Sequence, residues 1–482
     1  MVGRFLAIVP LLLGTALADG ADSSSLRAEA AAALRKAGAY FRENVATEGG
    51  YLWRYSEDLT IREGEGKADD RTVWLQPPGT PAVGMAFLQA YWDTGDPYYL
   101  DAALAAGNCL VRGQLRSGGW DNSITFDPAK RRNWAYRVEA PTPGRSPRDT
   151  TTLDDNKTQS ALRLLLHLDT TLGFKNHAIH ESALYALNAL LQAQFPNGAW
   201  PQQFSRPPDP NACPVLPASF PVSWPREFPG GKYAGYYTFN DNAMGDVVEV
   251  MVLAFQVYKE QRYLRAVERV GDFILRAQMP APQPAWAQQY DLQMHPAWAR
   301  KFEPPAVTGG ESQAVIETLL RVYQVTGRKQ YLDAVPRAVE YLRRSQLPDG
   351  RLARFYELQT NRPLYCTKDY VLTYSDGDTP THYVFKVTNR LDALAKTYQR
   401  MQALPASELR PKPYQAPKSS GRPSKSQVQR VIDSLDERGR WVENSRLRYQ
   451  DPPRGTERIV ECRTFISNCR ILSSFLAAES SP

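Results

Sequence analysis

Cysteine is scarce in this chain of 482 residues: Cys109, Cys213, Cys366, Cys462 and Cys469 are odd in number and scattered, so they imply neither a disulfide framework nor a thiolate metal site. If Cys462 and Cys469 share one helix, their Cα atoms lie roughly 10 Å apart, beyond disulfide reach. Long hydrophobic runs are also missing. The apolar stretch Phe5 to Leu13, behind Arg4 and ahead of Ala16-Leu17-Ala18, is too short to span a bilayer and reads as a secretory signal over residues 1–18. A secreted or periplasmic protein without a membrane span is expected. Charge of one sign is not in large surplus either, since 58 Lys and Arg stand against 51 Asp and Glu, giving +7. That excess favours an anionic partner without naming one. Basic residues interleaved with aromatics, as nucleic acid requires, are lacking. The densest basic run, Arg410 to Lys425, is rich in Pro and Ser and reads as a linker.

What is present is an ordinary globular composition, 43% hydrophobic and 23% charged. One stretch organises it: TTLDDNKTQSALRLLL, Thr151 to Leu166, sets Asp154, Asp155 and Asn156 immediately before an apolar run with helical spacing. Such residues commonly cap a helix, accepting from free backbone N–H groups at its positive end. A second copy, YYTFNDNAMGDVVEVM from Tyr236, places Asn240, Asp241 and Asn242 in the same way. Two acidic loops at helix N-termini could share one cation.

A weak internal repeat surrounds them. Tyr99-Leu100, Tyr263-Leu264 and Tyr331-Leu332 each precede a helix ending near a glutamine, Gln114, Gln278 and Gln346, fourteen residues after the Leu, and Gln194 is a fourth member. Gly-containing turns follow: Ser117-Gly118-Gly119-Trp120, Pro196-Asn197-Gly198-Ala199-Trp200 and Pro348-Asp349-Gly350. Spacings of 80, 84 and 68 residues leave room for about two helices and their loops in each unit. Repeating helical hairpins form an open solenoid or a closed ring. The long, aromatic- and Gly-rich loops recurring at one phase favour the ring, an all-α, (α/α) toroid with a cleft at one end.

The expected organisation is a helical domain over residues 26–404, a linker over 405–426 and a small C-terminal appendage over 427–482, with a helix around Arg463 to Leu476. Ser205 to Gly235 and Pro280 to Pro296 are expected as long loops near the cleft. Leu372 to Val387 is expected as a hairpin turning at Ser375-Asp376-Gly377, and Asn389 to Leu404 as the last helix of the repeat.

TTLDDNKT, YTFNDNAM, RKFEPPAVTGGES and RFYELQTNRPLYCTKDY together resemble the signatures of the family 10 polysaccharide lyases, which are pectate lyases. The resemblance covers roughly Leu26 to Leu404. It implies an (α/α) toroid and a monomeric enzyme that cleaves polygalacturonate by calcium-dependent anti-β-elimination with an arginine base. By motif, it implies Ca²⁺ ligation by Asp241, catalytic roles for Asp154 and for Arg300 as base, and substrate contacts from Arg354, Tyr356 and Asn156; Asp155 departs from the family's loop, which has a neutral residue there, and is expected to add a calcium ligand. Arg354 is the alternative base.

The chemistry is consistent from below. Removing the C5 proton of a uronate requires its C6 carboxylate to be neutralised, which Ca²⁺ and a guanidinium can both do. An arginine is protonated at ordinary pH, so an arginine base works only if calcium and neighbouring cations, such as Lys301 directly after Arg300, depress its pKa, and it implies an alkaline optimum. Two other classes compete. An inverting glycoside hydrolase would pair carboxyls among Asp154, Asp241, Glu303 and Glu357 at roughly 6.5–9.5 Å without metal. A carbohydrate-binding protein would keep the scaffold and bind without turnover.

Overall fold

The structure is a computed structural model that describes residues 15–141, 144, 146–419 and 421–477. Residues 1–14 of the expected signal segment lie outside the described residues. The described residues divide into two compact units, one of 15–73, 78–106 and 416–477, the other of 74–77 and 107–415. Both are mainly helical, with sheets of two to five short strands and no barrel among the described residues. No helix among them is long and apolar enough to cross a membrane.

In the smaller unit, Glu457–Glu461 pairs antiparallel with Val442–Ser445 on one side and Arg54–Ser56 on the other, and Arg62–Glu63 and Lys67–Ala68 extend the sheet. The helix Cys462–Ala477 packs on Thr80–Thr94. Its Phe465 stacks on Phe41 with ring centroids 3.6 Å apart and meets Phe87 at 5.4 Å. The stretch expected as an appendage therefore supplies an interior strand and a core helix. The buried Asp93 is satisfied within the same unit by the hydroxyls of Ser419 and Ser473, at 2.6 and 2.7 Å. All five cysteines are free and buried.

The larger unit repeats one motif. A two- or three-residue strand feeds a helix, and a second helix follows: Thr151–Thr152 before Lys157–Thr171 and His177–Ala193, Tyr237–Thr238 before Ala243–Tyr258 and Gln261–Ala277, and Ala306–Thr308 before Gly309–Thr326 and Val335–Arg344. Each of these strands pairs antiparallel with a strand beyond its own hairpin, in the registers Thr151↔Phe204, Tyr237↔Tyr290 and Ala306↔Glu357. The glutamines explain the sequence repeat. Gln114 donates from Nε2 to Gly118 O and Ser182 O, Gln194 to Gly198 O and Ala266 O, and Gln278 to Pro284 O and Ala334 O, all at 2.9 Å. Each amide closes its own turn and ties it to the helix pair that follows, satisfying buried carbonyls that would otherwise be orphaned. The tryptophans repeat as well: Trp120, Trp200 and Trp286 are fully buried, and each indole donates at 2.8 Å to a carbonyl of the helix before it, that of Leu110, Leu190 and Ile274.

Two expectations need correction. Gln346 is exposed and outside this clasp set. Leu372 to Val387 is not a hairpin: Leu372–Thr373 pairs with Pro363–Cys366, and Lys386–Val387 pairs with Leu352–Ala353. The residues between instead carry Tyr383 and Phe385 onto an aromatic cluster with Phe302 and Phe355. The last helix of the repeat spans Leu391–Gln402.

Candidate active site

Both acidic loops are built alike. After the strand, Leu153 and Phe239 turn with φ of −99° and −103°; the next three residues form a single 3₁₀ turn, whose second and third residues, both non-glycine, enter the left-handed region. These are Asp155 (φ 50°, ψ 33°) with Asn156 (φ 59°, ψ 27°), and Asp241 (φ 46°, ψ 34°) with Asn242 (φ 57°, ψ 23°). Thr152 and Thr238 each accept at Oγ1 from the backbone N–H two residues on, that of Asp154 and Asn240. Neither Asn156 nor Asn242 caps its helix through the side chain. The reading of these residues as helix caps therefore fails; Asn242 instead donates from Nδ2 to Asp246 Oδ1 at 3.4 Å.

The two loops touch. Asp154, Asp155 and Asp241 each offer a carboxylate oxygen, and the three oxygens lie within 4.8 Å of one another. Asp154 accepts from Gln202 Nε2 at 2.7 Å, and Asp241 from Asn240 Nδ2 at 2.6 Å. The Asp241 carboxyl is pushed up to about 7, first by the protein packed around it and then by the Asp155 and Asp154 carboxylates, although it keeps access to solvent. Three hard oxygen donors that repel one another in this way fit a hard divalent cation such as Ca²⁺. The side-chain oxygen of Asn156 is buried without a hydrogen-bond partner among the described residues, which adds a neutral donor of the right kind.

Arginines border the acids. Arg300 lies in the tight turn Arg300 to Glu303, closed by the Glu303 N–H donating to Arg300 O at 2.8 Å. Its Nε donates to Glu303 Oε2 at 2.8 Å and its Nη2 to Oε1 at 2.5 Å, and Nη1 has no hydrogen-bond partner among the described residues. Glu303 is only 1% exposed and also accepts from the Tyr383 hydroxyl at 2.8 Å. Burial works against the charged form of Arg300, but the hydrogen bonds and charge of Glu303 more than reverse it and hold the arginine pKa above its ordinary value. Lys301, a possible depressing neighbour, instead places its ammonium 3.6 Å from the centre of the Tyr370 ring. Arg354 donates to Tyr383 at 2.7 Å and stands 3.7 Å from Glu311. Its Nε and the Glu311 Oε2 are buried and unpartnered among the described residues.

Asp154, Asp155, Asp241, Asn156, Arg300 and Arg354 thus belong to one electrostatic neighbourhood, with the charges of Asp154, Asp155, Arg300 and Glu311 all bearing on Asp241, and that of Asp241 on Arg354. Tyr356 does not join them. It is 1% exposed, and its hydroxyl is used internally, accepting from Ala353 N at 2.9 Å and donating to Ser345 O at 2.6 Å. It braces a turn and cannot reach a sugar, so the substrate contact expected of it is withdrawn. Glu357 is also engaged, by Arg226 and by Tyr374 at 2.8 Å. Through that pair and the bond from Trp298 Nε1 to Pro225 O, the long loop of residues 205–235 is pinned beside a cavity of about 270 Å³ lined by Trp224, Tyr233, Tyr236, His295 and Trp298. Tyr233 lies within the electrostatic reach of Arg300, Glu303, Asp154 and Asp241.

Sequence reasoning missed Lys157, Gln202, Tyr233 and Tyr383. Lys157 lies inside the first motif and could have been weighed with its acids. The other three carry no local signal.

Residues 114–321 match the family model described as pectic acid lyase. That stretch holds three of the four motifs, with both acidic loops and Arg300, so the resemblance to pectate lyases is shown there. A family 10 polysaccharide lyase from Cellvibrio cellulosa is similar at 21% identity and TM-score 0.44, over 62% of this chain and 92% of that one. A mutant of that enzyme in complex with trigalacturonic acid is similar to the same degree, over 61% and 92%. A D-mannose isomerase follows at 16% identity and TM-score 0.40, over 72% and 76%. No curated protein sequence matches.

Proposed function

We propose that this chain is an exported pectate lyase that cleaves polygalacturonate by anti-β-elimination, with Arg300 as the base. The observation that carries the reading is the trio of carboxylate oxygens within 4.8 Å, in electrostatic reach of a guanidinium with one nitrogen unpartnered among the described residues. Asp154, Asp155 and Asp241 would hold Ca²⁺, with Asn156 available as a further oxygen donor. The cation would supply positive charge against the C6 carboxylate of a bound uronate, acidifying the neighbouring C5–H. Arg354, whose side chain is 20% exposed, binds a sugar carboxylate and neutralises it from the protein side. Glu303 fixes the Arg300 fork so that Nη1 faces the C5 proton. Nη1 takes that proton, the C4–C5 double bond forms, the C4–O bond breaks, and the departing sugar leaves with a proton from solvent. Glu303 holds the arginine pKa up in the metal-free protein, against the depression a base requires, so neutral Arg300 is rare and activity would climb into the alkaline range.

The (α/α) toroid remains the proposed architecture, supported by the phase of the hairpin repeat. The hydrolase alternative is disfavoured, because the three central carboxylates are closer than the roughly 6.5 Å an inverting pair needs, and Glu303 and Glu357 are ion-paired. The test is ultraviolet absorbance of unsaturated product on polygalacturonate, with calcium and then with chelator. Reducing ends appearing without absorbance would overturn the lyase reading.

A further inference from the structure

We propose that Lys157 is a built-in counter-cation of the acidic site: it holds Asp154 and Asp155 together when no metal is bound, and it lowers the charge of the site to what one divalent cation completes. This rests on the metal reading given under the proposed function.

Lys157 is the first residue of the helix Lys157–Thr171, and its side chain is 2% exposed. Its ammonium lies 3.1 Å from Asp155 Oδ2 and 3.5 Å from Asp154 Oδ2. A lysine so buried is stable only with its charge met, and these two carboxylates meet it. The second acidic loop shows that the turn does not require it. There the same backbone conformation is followed by Ala243, also buried, so a short apolar side chain serves the fold at the equivalent position. The two loops differ in charge at two positions, Asp154 against Asn240 and Lys157 against Ala243, so the loop with the extra carboxylate is the one that carries the lysine, and its ammonium lies against the acids.

The charge count gives it a purpose. Arg300 is paired with Glu303 and Arg354 with Glu311. What remains at the centre is three carboxylates and one ammonium, a formal −2. Without Lys157 the site would carry −3, bind a divalent cation more tightly and repel itself more strongly when empty. Lys157 is thus a positioning residue: buried away from any substrate, it acts through Asp154 and Asp155.

The test is calorimetric titration of the full chain with Ca²⁺, together with thermal melting in chelator and in calcium, for wild type, Lys157→Met and Lys157→Arg. Methionine keeps the length and apolar stem and removes the charge. Lys157→Met should bind Ca²⁺ about tenfold more tightly or better, the effect of one unit charge on a nearby dication even at a water-like dielectric. It should melt lower than wild type in chelator and regain the difference in calcium, whereas Lys157→Arg should stay within about threefold of wild-type affinity. A merely structural lysine would instead give weaker binding and a deficit that calcium does not repair. Lys157→Met binding no tighter than wild type while wild type binds normally would overturn this inference alone. Wild type failing to bind any divalent cation would overturn the metal reading and this inference with it. If Lys157→Met folds only in calcium, Lys157→Gln purified in calcium and titrated against a competing chelator gives the same comparison.

Discussion

Asp155 and Asp241 occupy the same left-handed backbone conformation, φ 50° and ψ 33° against φ 46° and ψ 34°, at equivalent positions of successive repeats. Side chains other than glycine hold such angles at a cost of about 1 kcal/mol or more, and here two consecutive residues do so in each loop. The strain and the crowding of like charges both work against stability, which is common where function sets the geometry. Relieving the crowding should therefore stabilise the metal-free protein. Asp241→Asn keeps the shape and removes one of three negative charges. In chelator it should unfold about 1 kcal/mol harder than wild type, after allowance for solvent screening. It should also lose the calcium-induced rise in melting temperature and nearly all lyase activity. Denaturant titration and melting with calcium would check this, and a preserved calcium response would remove Asp241 from the metal site.

His167 gives the larger unit an acid-sensitive point. It is buried on the helix Lys157–Thr171 with its Nδ1 2.9 Å from the Tyr414 hydroxyl. Burial, aided by the charge of Arg163, pulls its pKa down from 6.5 to about 4. The folded protein thus prefers the neutral ring while the unfolded chain takes up a proton near 6.5. Its contribution is complete above that pH and is lost as pH falls towards 4, by up to about 3 kcal/mol. Stability measured between pH 7 and 4 should fall less steeply in His167→Gln than in wild type. Parallel slopes would show that His167 does not titrate on unfolding.

In the smaller unit, the C-terminal helix contributes core rather than decoration. Phe465→Ala removes a ring stacked on Phe41 and packed against Phe87 and Trp441. It should cost about 3–5 kcal/mol of that unit's stability. The calcium affinity should be unchanged, because every proposed metal ligand lies in the other unit. Calorimetric melting followed by titration separates the two effects. A variant that melts like wild type would mean the helix is not part of this core.

The legible parts of the chain were those written locally. Both acidic loops and the glutamines at helix ends recur within a few residues of fixed landmarks, so repetition alone exposed them, though not the bonds the amides make. Gln346 misled because sequence spacing cannot tell whether a further hairpin follows to receive the amide. The alternation in Leu372 to Val387 was real, but alternation fixes a period and not a partner, and both strands found theirs elsewhere. Gln202 reaches Asp154 across 48 residues, and Tyr383 reaches Glu303 across 80. Such contacts are set by how repeats stack, which no single stretch encodes. Tyr356 was assigned by its place in a motif, and its burial under a turn shows that a motif can hold braces beside ligands.

The assignment of the base separates Arg300 from Arg354. Arg300 uses Nε and Nη2 on Glu303, so its orientation depends on the planar fork, and a lysine could satisfy neither the paired geometry nor the position of Nη1. Arg300→Lys should therefore lose at least about a hundredfold in kcat with KM little changed. Glu303→Gln should fall in the same direction by freeing the fork, and its remaining activity should rise at lower pH than wild type, because the partner that raises the arginine pKa has lost its charge. The Arg354 guanidinium meets Tyr383 and Glu311 among the described residues and the side chain stays 20% exposed, an arrangement suited to a carboxylate ligand. Arg354→Lys should mainly raise KM. Steady-state kinetics on polygalacturonate across alkaline pH decide between them: a collapsed kcat for Arg354→Lys beside a near-normal one for Arg300→Lys would move the base to Arg354 and leave Arg300 as an anchor for the turn that Glu303 closes.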